Sequence, residues 1–142
     1  GDVYKRQLLD PTGLFVSPVP LTSAHLESMR DLVGCGRSRP IAWRQTQLKQ
    51  LRSLVMSHEQ EVITALASDL GKPPTEAFFE VVALLQELKL TERKLGQWMR
   101  PRRVTVPLAQ RPGQASVVSE PLGCVLIIGP WNYPFSLTLQ HP

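Results

Sequence analysis

The sequence predicts an α/β fold, and three observations predict it. Helical periodicity runs through most of residues 21–100, the tract 101–122 is extended and proline-rich, and Cys124 to Ile128 forms an unbroken apolar run. Such a run suits a strand buried on both faces of a parallel sheet. Helices first and a parallel-type strand last describe a chain that enters an α/β protein through its helical layer.

Residues 1–20 read as a lead-in. GDVYKRQ (1–7) has no initiator methionine and reads as disordered or artefactual, an interrupted coding sequence or a cloning scar. Residues 8–20 scatter three prolines and a glycine around Leu14-Phe15-Val16. Leu21 to Val33 predicts a helix with Thr22 and Ser23 as N-cap candidates and Leu26, Met29, Leu32 and Val33 on one side. Gly34-Cys35-Gly36 ends it.

Ile41 to Met56 predicts the next helix. Leu48, Leu51, Leu54 and Val55 recur at helical spacing, and Arg44, Gln47, Lys49 and Arg52 take the other face. Ser57 and Gln60 stand at the three-residue offset of a capping box, announcing a helix that buries Val62, Ile63, Leu66, Ala67 and Leu70. Gly71 closes it, because glycine accepts the left-handed conformation that ends many helices. After the rigid Lys72-Pro73-Pro74 link, Thr75 is expected to cap the longest helix. Its apolar face is drawn through Phe78, Val81, Val82, Leu85, Leu88, Leu95 and Trp98, and Pro101 terminates it. Glu80 and Glu87 lie seven apart on that helix and read as a solvated face.

Residues 101–122 form an extended segment with a short β-prone stretch at Ser116 to Ser119. The Pro121-Leu122-Gly123 turn follows, then the apolar run, which Gly129-Pro130 stops. Trp131-Asn132-Tyr133-Pro134 thus falls at the carboxyl end of a buried strand, where open α/β sheets bind ligands.

Chemistry concentrates there. A side-chain amide such as that of Asn132 donates hydrogen bonds without changing its charge, and a rigid donor of this kind can hold an oxyanion. The plainer role is a turn before Pro134, and spacing alone favours it. Trp131 and Tyr133 either line a pocket or cover a core edge. Gly129 either admits a ligand close to the backbone or ends the strand. His25, His58 and His141 share no ligand spacing and suit surface or capping positions. No metal signature, phosphate loop or serine elbow is present, so no metal is expected.

Composition narrows the classes further. The chain has 142 residues and a formal charge of +4. Its arginine clusters at 37–39 and 100–103 lack interleaved aromatics and sit near helix ends, where dipoles favour cations, so nucleic acid is not expected as a partner. The two cysteines, Cys35 and Cys124, form no motif and read as reduced intracellular thiols. There is no apolar stretch of membrane-spanning length and no signal-peptide pattern.

EPLGCVLIIGPWNYPF (120–135) closely resembles the signature entering the NAD(P)-binding domain of aldehyde dehydrogenases, particularly the class 3-type (fatty aldehyde) branch. GRSRPIAWRQTQLKQLRSLV (36–55) is similar to that branch's first-helix segment, and EQEVITALASDLGKPPTEAFFEVVALLQELK (59–89) to its next two helices. The resemblance covers roughly residues 34–140. It implies an aldehyde-dehydrogenase-like fold truncated to three pieces: the N-terminal helical layer (21–100), a short antiparallel pair within a small oligomerisation sheet (101–122), and the first strand of a Rossmann-like sheet (123–142).

It further implies an enzyme that oxidises aldehydes to carboxylic acids through a cysteine thiohemiacetal, with NAD or NADP as cofactor. By position, Asn132 would donate to the oxyanion and Tyr133 would line the substrate tunnel. Ile128, Gly129, Pro130 and Trp131 would lie along the cofactor. The family's nucleophilic cysteine and general-base glutamate follow in segments downstream of the motif, and neither Cys35 nor Cys124 sits in that cysteine's context. The fragment alone is therefore expected to be inactive. The resemblance implies a cytoplasmic homodimer as the whole protein, with membrane attachment only through a C-terminal tail. The rival from another class is a helical interaction module whose terminal strand pairs with a partner.

Overall fold

The computed structural model of the chain describes residues 22–140. The lead-in 1–20, the expected helix start at Leu21, and His141 lie outside the described residues.

Helix α1 spans Ser23–Gly34, and the N-cap is the first of the two candidates. Thr22 Oγ1 accepts from the His25 amide at 3.3 Å, while the His25 ring returns to the Thr22 amide at 3.3 Å. This reciprocal box satisfies donors that a helix start otherwise leaves bare. No α1 residue is buried, so Leu26 and Met29 stay exposed instead of joining a core.

Helices α2 (Ile41–Ser57), α3 (Glu59–Leu70) and α4 (Pro74–Trp98) form the core. α4 packs against both others, and Leu84, Leu88 and Val81 on it are fully enclosed. Leu48 and Val55 come from α2, and Ile63 and Leu66 from α3. Arg52 Nε meets Glu92 Oε1 at 3.0 Å and ties α2 to α4 at the surface.

Two capping expectations are corrected by the structure. Ser57 is the last residue of α2, and its hydroxyl donates to the Leu54 carbonyl at 3.0 Å. It therefore forms no capping box with Gln60, and His58 bridges the two helices instead. Pro73 occupies the N-cap of α4 and Pro74 its first turn, so Thr75 lies inside the helix. Proline suits that first turn because its missing N–H is one that has no helical partner anyway.

The buried row of α4 is Ala77, Glu80, Val81, Leu84, Leu88 and Thr91. That row keeps the helical spacing but is rotated from the face drawn through Phe78 and Trp98, both of which are exposed. The rotation follows from packing: α4 meets α2, α3 and a later helix, so its buried stripe is set by three neighbours and not by side-chain apolarity alone. Leu54, drawn on the apolar side of α2, is exposed as well. Gly71 closes α3 as expected, at φ 66°, with its amide bonded to the Ala67 carbonyl at 2.9 Å.

Beyond α4, β1 (Arg102–Val104) pairs antiparallel with β2 (Ala115–Val117), in the register Arg103 opposite Ser116. Both strands are exposed on both faces. The antiparallel pair expected within 101–122 is thus present. The apolar run Cys124 to Ile128 joins no ladder among the described residues and is largely exposed, Leu126 at 82% and Ile128 at 84%. A strand buried on both faces needs neighbours on both edges and a layer on each face, and the described residues supply none of these. The run gives way to a further helix, α5 (Pro134–Leu139), which packs on α4.

Candidate active-site turn

Asn132 and its neighbours lie in the turn that leads from the exposed apolar run into α5. Trp131, Asn132 and Tyr133 are all exposed, and Tyr133 is the N-cap residue of α5. Its side chain provides no cap. The helix solves that problem in two ways. Pro134 at the first position has no N–H to satisfy, and the next two amides find a partner 55 residues upstream.

That partner is Glu80. Its Oε1 accepts from the Phe135 amide at 2.7 Å and from the Ser136 amide at 3.0 Å. Its Oε2 accepts from Lys72 Nζ at 2.7 Å. Glu80 is 1% exposed, so the expectation of a solvated carboxylate on α4 is wrong. Burial of an ionised carboxylate is tolerated only where charge and hydrogen bonds compensate, and here a cation and two helix-end amides do so. A carboxylate at a helix N-terminus also meets the positive end of the helix dipole.

Lys72 follows Gly71, and the left-handed cap of α3 turns the chain so that the lysine faces Glu80. The same ammonium lies 4.2 Å from the centroid of the Tyr133 ring. A cation at that distance over an aromatic face is attracted by the ring quadrupole. Glu80, Lys72 and Tyr133 thus form one cluster beneath the turn, and neither Glu80 nor Lys72 was singled out as a site residue from the sequence. The available signal was position: Glu80 falls in register with Ala77, Leu84 and Leu88 on the buried stripe.

Gly129 lies against α5. A Cβ at Gly129 would coincide with the Thr138 hydroxyl, which itself donates to the Pro134 carbonyl at 2.6 Å. Close packing of the chain on itself accounts for this glycine without a ligand. Of the expected cofactor-side residues, Ile128 and Trp131 present exposed apolar surface, and Pro130 is exposed beside them. On the other side of Trp131 an open groove of about 260 Å³ runs along α3, lined by Val62, Leu66, Asp69, Leu70, Trp131 and Phe135. A second concavity of about 240 Å³ lies in the hairpin at Arg103 and Arg111, away from the turn. Among the described residues no cluster of three or more metal-ligating side chains occurs, and no helix is long and apolar enough to cross a membrane. Cys35 and Cys124 are free and exposed.

The family profile described as "Aldehyde dehydrogenase family" matches residues 27–141, which includes the helical core, the hairpin and the turn. The chain belongs to the aldehyde dehydrogenase family. Similarity to individual members agrees. Aldehyde dehydrogenase family 3 member H1 of Arabidopsis thaliana is 45% identical over 106 residues, covering 74% of this chain and 22% of that protein. Aldehyde dehydrogenase family 3 member A2 of Rattus norvegicus is 40% identical over 116 residues, covering 81% of this chain and 24% of that protein. The dimeric NADP-preferring aldehyde dehydrogenase of Canis lupus familiaris is 37% identical over 116 residues, with coverages of 81% and 26%. The chain spans about a quarter of the length of these curated relatives. The family resemblance read from the motif and the helices is thereby established.

Proposed function

We propose that this chain is the N-terminal segment of an NAD(P)-dependent aldehyde dehydrogenase and that it supplies the oxyanion donor of the active site. The observation that carries the reading is the placement of Asn132. It stands exposed on a turn whose following helix is locked at its first two amides by a buried carboxylate. A donor held before the reaction begins costs no reorganisation when negative charge develops on the aldehyde oxygen.

In this reading the Asn132 side-chain N–H donates to that oxygen as a thiolate adds to the carbonyl carbon. Tyr133 walls the substrate's path, and Ile128, Gly129, Pro130 and Trp131 border the dinucleotide. The apolar surface of Ile128 and Trp131 fits the flat, apolar side of such a cofactor, while the chain offers no phosphate loop of its own. NAD or NADP bound there would supply the hydride acceptor. The thiolate and the base that activates water belong to downstream segments, and the domain limits 21–100, 101–122 and 123–142 follow the same proposal. The exposed hairpin β1–β2 suits a part in a subunit-joining sheet, giving a cytoplasmic homodimer whose membrane attachment, where there is any, runs through a C-terminal tail. The exposed run from Leu122 to Ile128 is what downstream parallel strands would cover, which leaves the interaction-module reading without a distinct observation of its own.

The test is turnover measured as NAD(P)H absorbance. The 142-residue chain mixed with an aliphatic aldehyde and NAD or NADP is expected to form none, whereas a polypeptide that joins it to the downstream cysteine and glutamate segments forms it steadily. Steady NAD(P)H formation by the 142-residue chain itself would overturn the division of labour proposed here.

A further inference from the structure

We propose that Glu80 and Lys72 act as a positioning pair that sets the direction of Asn132 and the plane of the Tyr133 ring. The proposal deepens the reading of Asn132 as oxyanion donor and rests on it for its catalytic meaning.

Stability alone is a poor reason to bury this pair. Apolar side chains of similar volume fill such a site as well or better, because the desolvation of two charges offsets their attraction. What an apolar residue cannot do is hold a helix end. Glu80 Oε1 accepts from two successive amides, Phe135 and Ser136, so it fixes the rotation of α5 about its axis as well as its distance from α4. Lys72 occupies the other carboxylate oxygen and at the same time faces the Tyr133 ring. The pair therefore grips the chain at the first, third and fourth residues after Asn132. Before Asn132, Gly129 is seated against Thr138. Asn132 is the exposed apex of a turn held on both sides, and its own side chain carries none of the holding.

Each contact has a separate part. The two amide bonds orient the backbone entering α5, which decides where the Asn132 amide points. The ammonium over the ring decides how Tyr133 lies, and so what width it leaves beside Asn132. Neither residue touches the reacting atoms; both act through the turn.

The experiment uses the isotope-labelled 142-residue chain and four variants: Glu80→Ala, Glu80→Gln, Lys72→Met and the core control Leu84→Ala. Amide exchange at Phe135 and Ser136 is compared with that of α2–α4, and the Asn132 side-chain amide resonance and the Tyr133 ring shifts are followed. Glu80→Ala is expected to speed exchange at Phe135 and Ser136 by about tenfold or more relative to the core, as loss of charge-assisted bonds implies, and to move the Asn132 resonance. Glu80→Gln keeps a carbonyl acceptor and is expected to restore both to within about threefold. Lys72→Met keeps the protection of these two amides relative to the core but loses the ring shift. Leu84→Ala lowers overall stability and leaves the Asn132 resonance in place.

The proposal fails if Glu80→Ala and Leu84→Ala give one shared pattern, or if Asn132 is unmoved in Glu80→Ala. Should Glu80→Ala not fold, unchanged Tyr133 ring shifts in Lys72→Met overturn it on their own. None of these signals requires turnover, so an active Asn132→Ala enzyme would defeat the functional reading while leaving the positioning result intact.

Discussion

Replacing Lys72 by methionine removes the one cation that meets Glu80 among the described residues and keeps most of the lysine's apolar stem. The Glu80 side chain is 0% exposed and that of Lys72 10%, so the pair belongs to the buried class and not to the surface class worth under about 1 kcal/mol. Removing one partner of a buried pair costs about 3–5 kcal/mol, because the other charge is left uncompensated. Here two amides still reach Oε1, which argues for the low end, about 3 kcal/mol. With a urea slope of about 1–3 kcal/mol/M for a domain of this size, the unfolding midpoint falls by about 1–3 M. The assay is urea unfolding followed by far-ultraviolet circular dichroism, which reports the helices that make up the core. Adding Glu80→Gln to Lys72→Met removes the stranded charge and is expected to recover at least half of the loss. A Lys72→Met unfolding free energy within about 0.5 kcal/mol of that of the unaltered chain would refute the reasoning, since only a solvated ion pair behaves that way.

Other outcomes follow from the same structure. Gly129→Ala is expected to cost about 1–3 kcal/mol by overpacking against the Thr138 hydroxyl, and Thr138→Ala in the same chain to recover part of it, both read by urea unfolding. Thr22→Ala removes the α1 cap and is expected to lower local helicity by about 1 kcal/mol of helix stability, visible as faster amide exchange in α1. The unfolding midpoint of the core stays where it is, because α1 contributes no buried residue to that core. In the monomeric chain the amides of Cys124 to Ile128 are expected to exchange at near the unprotected rate, since they join no ladder; strong protection there would mean that the strand finds a partner.

The helices α2, α3 and α4 were legible because their signals are local. Apolar residues at helical spacing, a glycine just past α3 and a proline just past α4 need no distant information. The Thr22 cap was legible on the same ground. Glu80 was not, because its partners are the amides of Phe135 and Ser136 across the fold, and a carboxylate on a helix is ordinarily solvated. The clue lay in its register with Ala77, Leu84 and Leu88, which a hydrophobicity-based face overlooks. α5 escaped notice for its shortness, although Pro134 opens it in the position that proline favours. The run Cys124 to Ile128 shows the opposite error. Its composition encodes a sheet interior, yet burial depends on strands that residues 22–140 do not contain. Asn132 was ambiguous from spacing alone, and its chemical role came from the motif's likeness to a family to which the chain does belong.

Asn132 is the proposed oxyanion donor. Its most direct test is Asn132→Ala in a polypeptide that joins this chain to the downstream cysteine and glutamate segments, assayed by steady-state NAD(P)H formation over a range of aldehyde concentrations. Loss of one preorganised donor predicts a fall in kcat of about 100- to 1,000-fold, with KM for the aldehyde changed by less than about threefold. A variant that keeps kcat within about threefold of the unaltered enzyme would contradict the assignment.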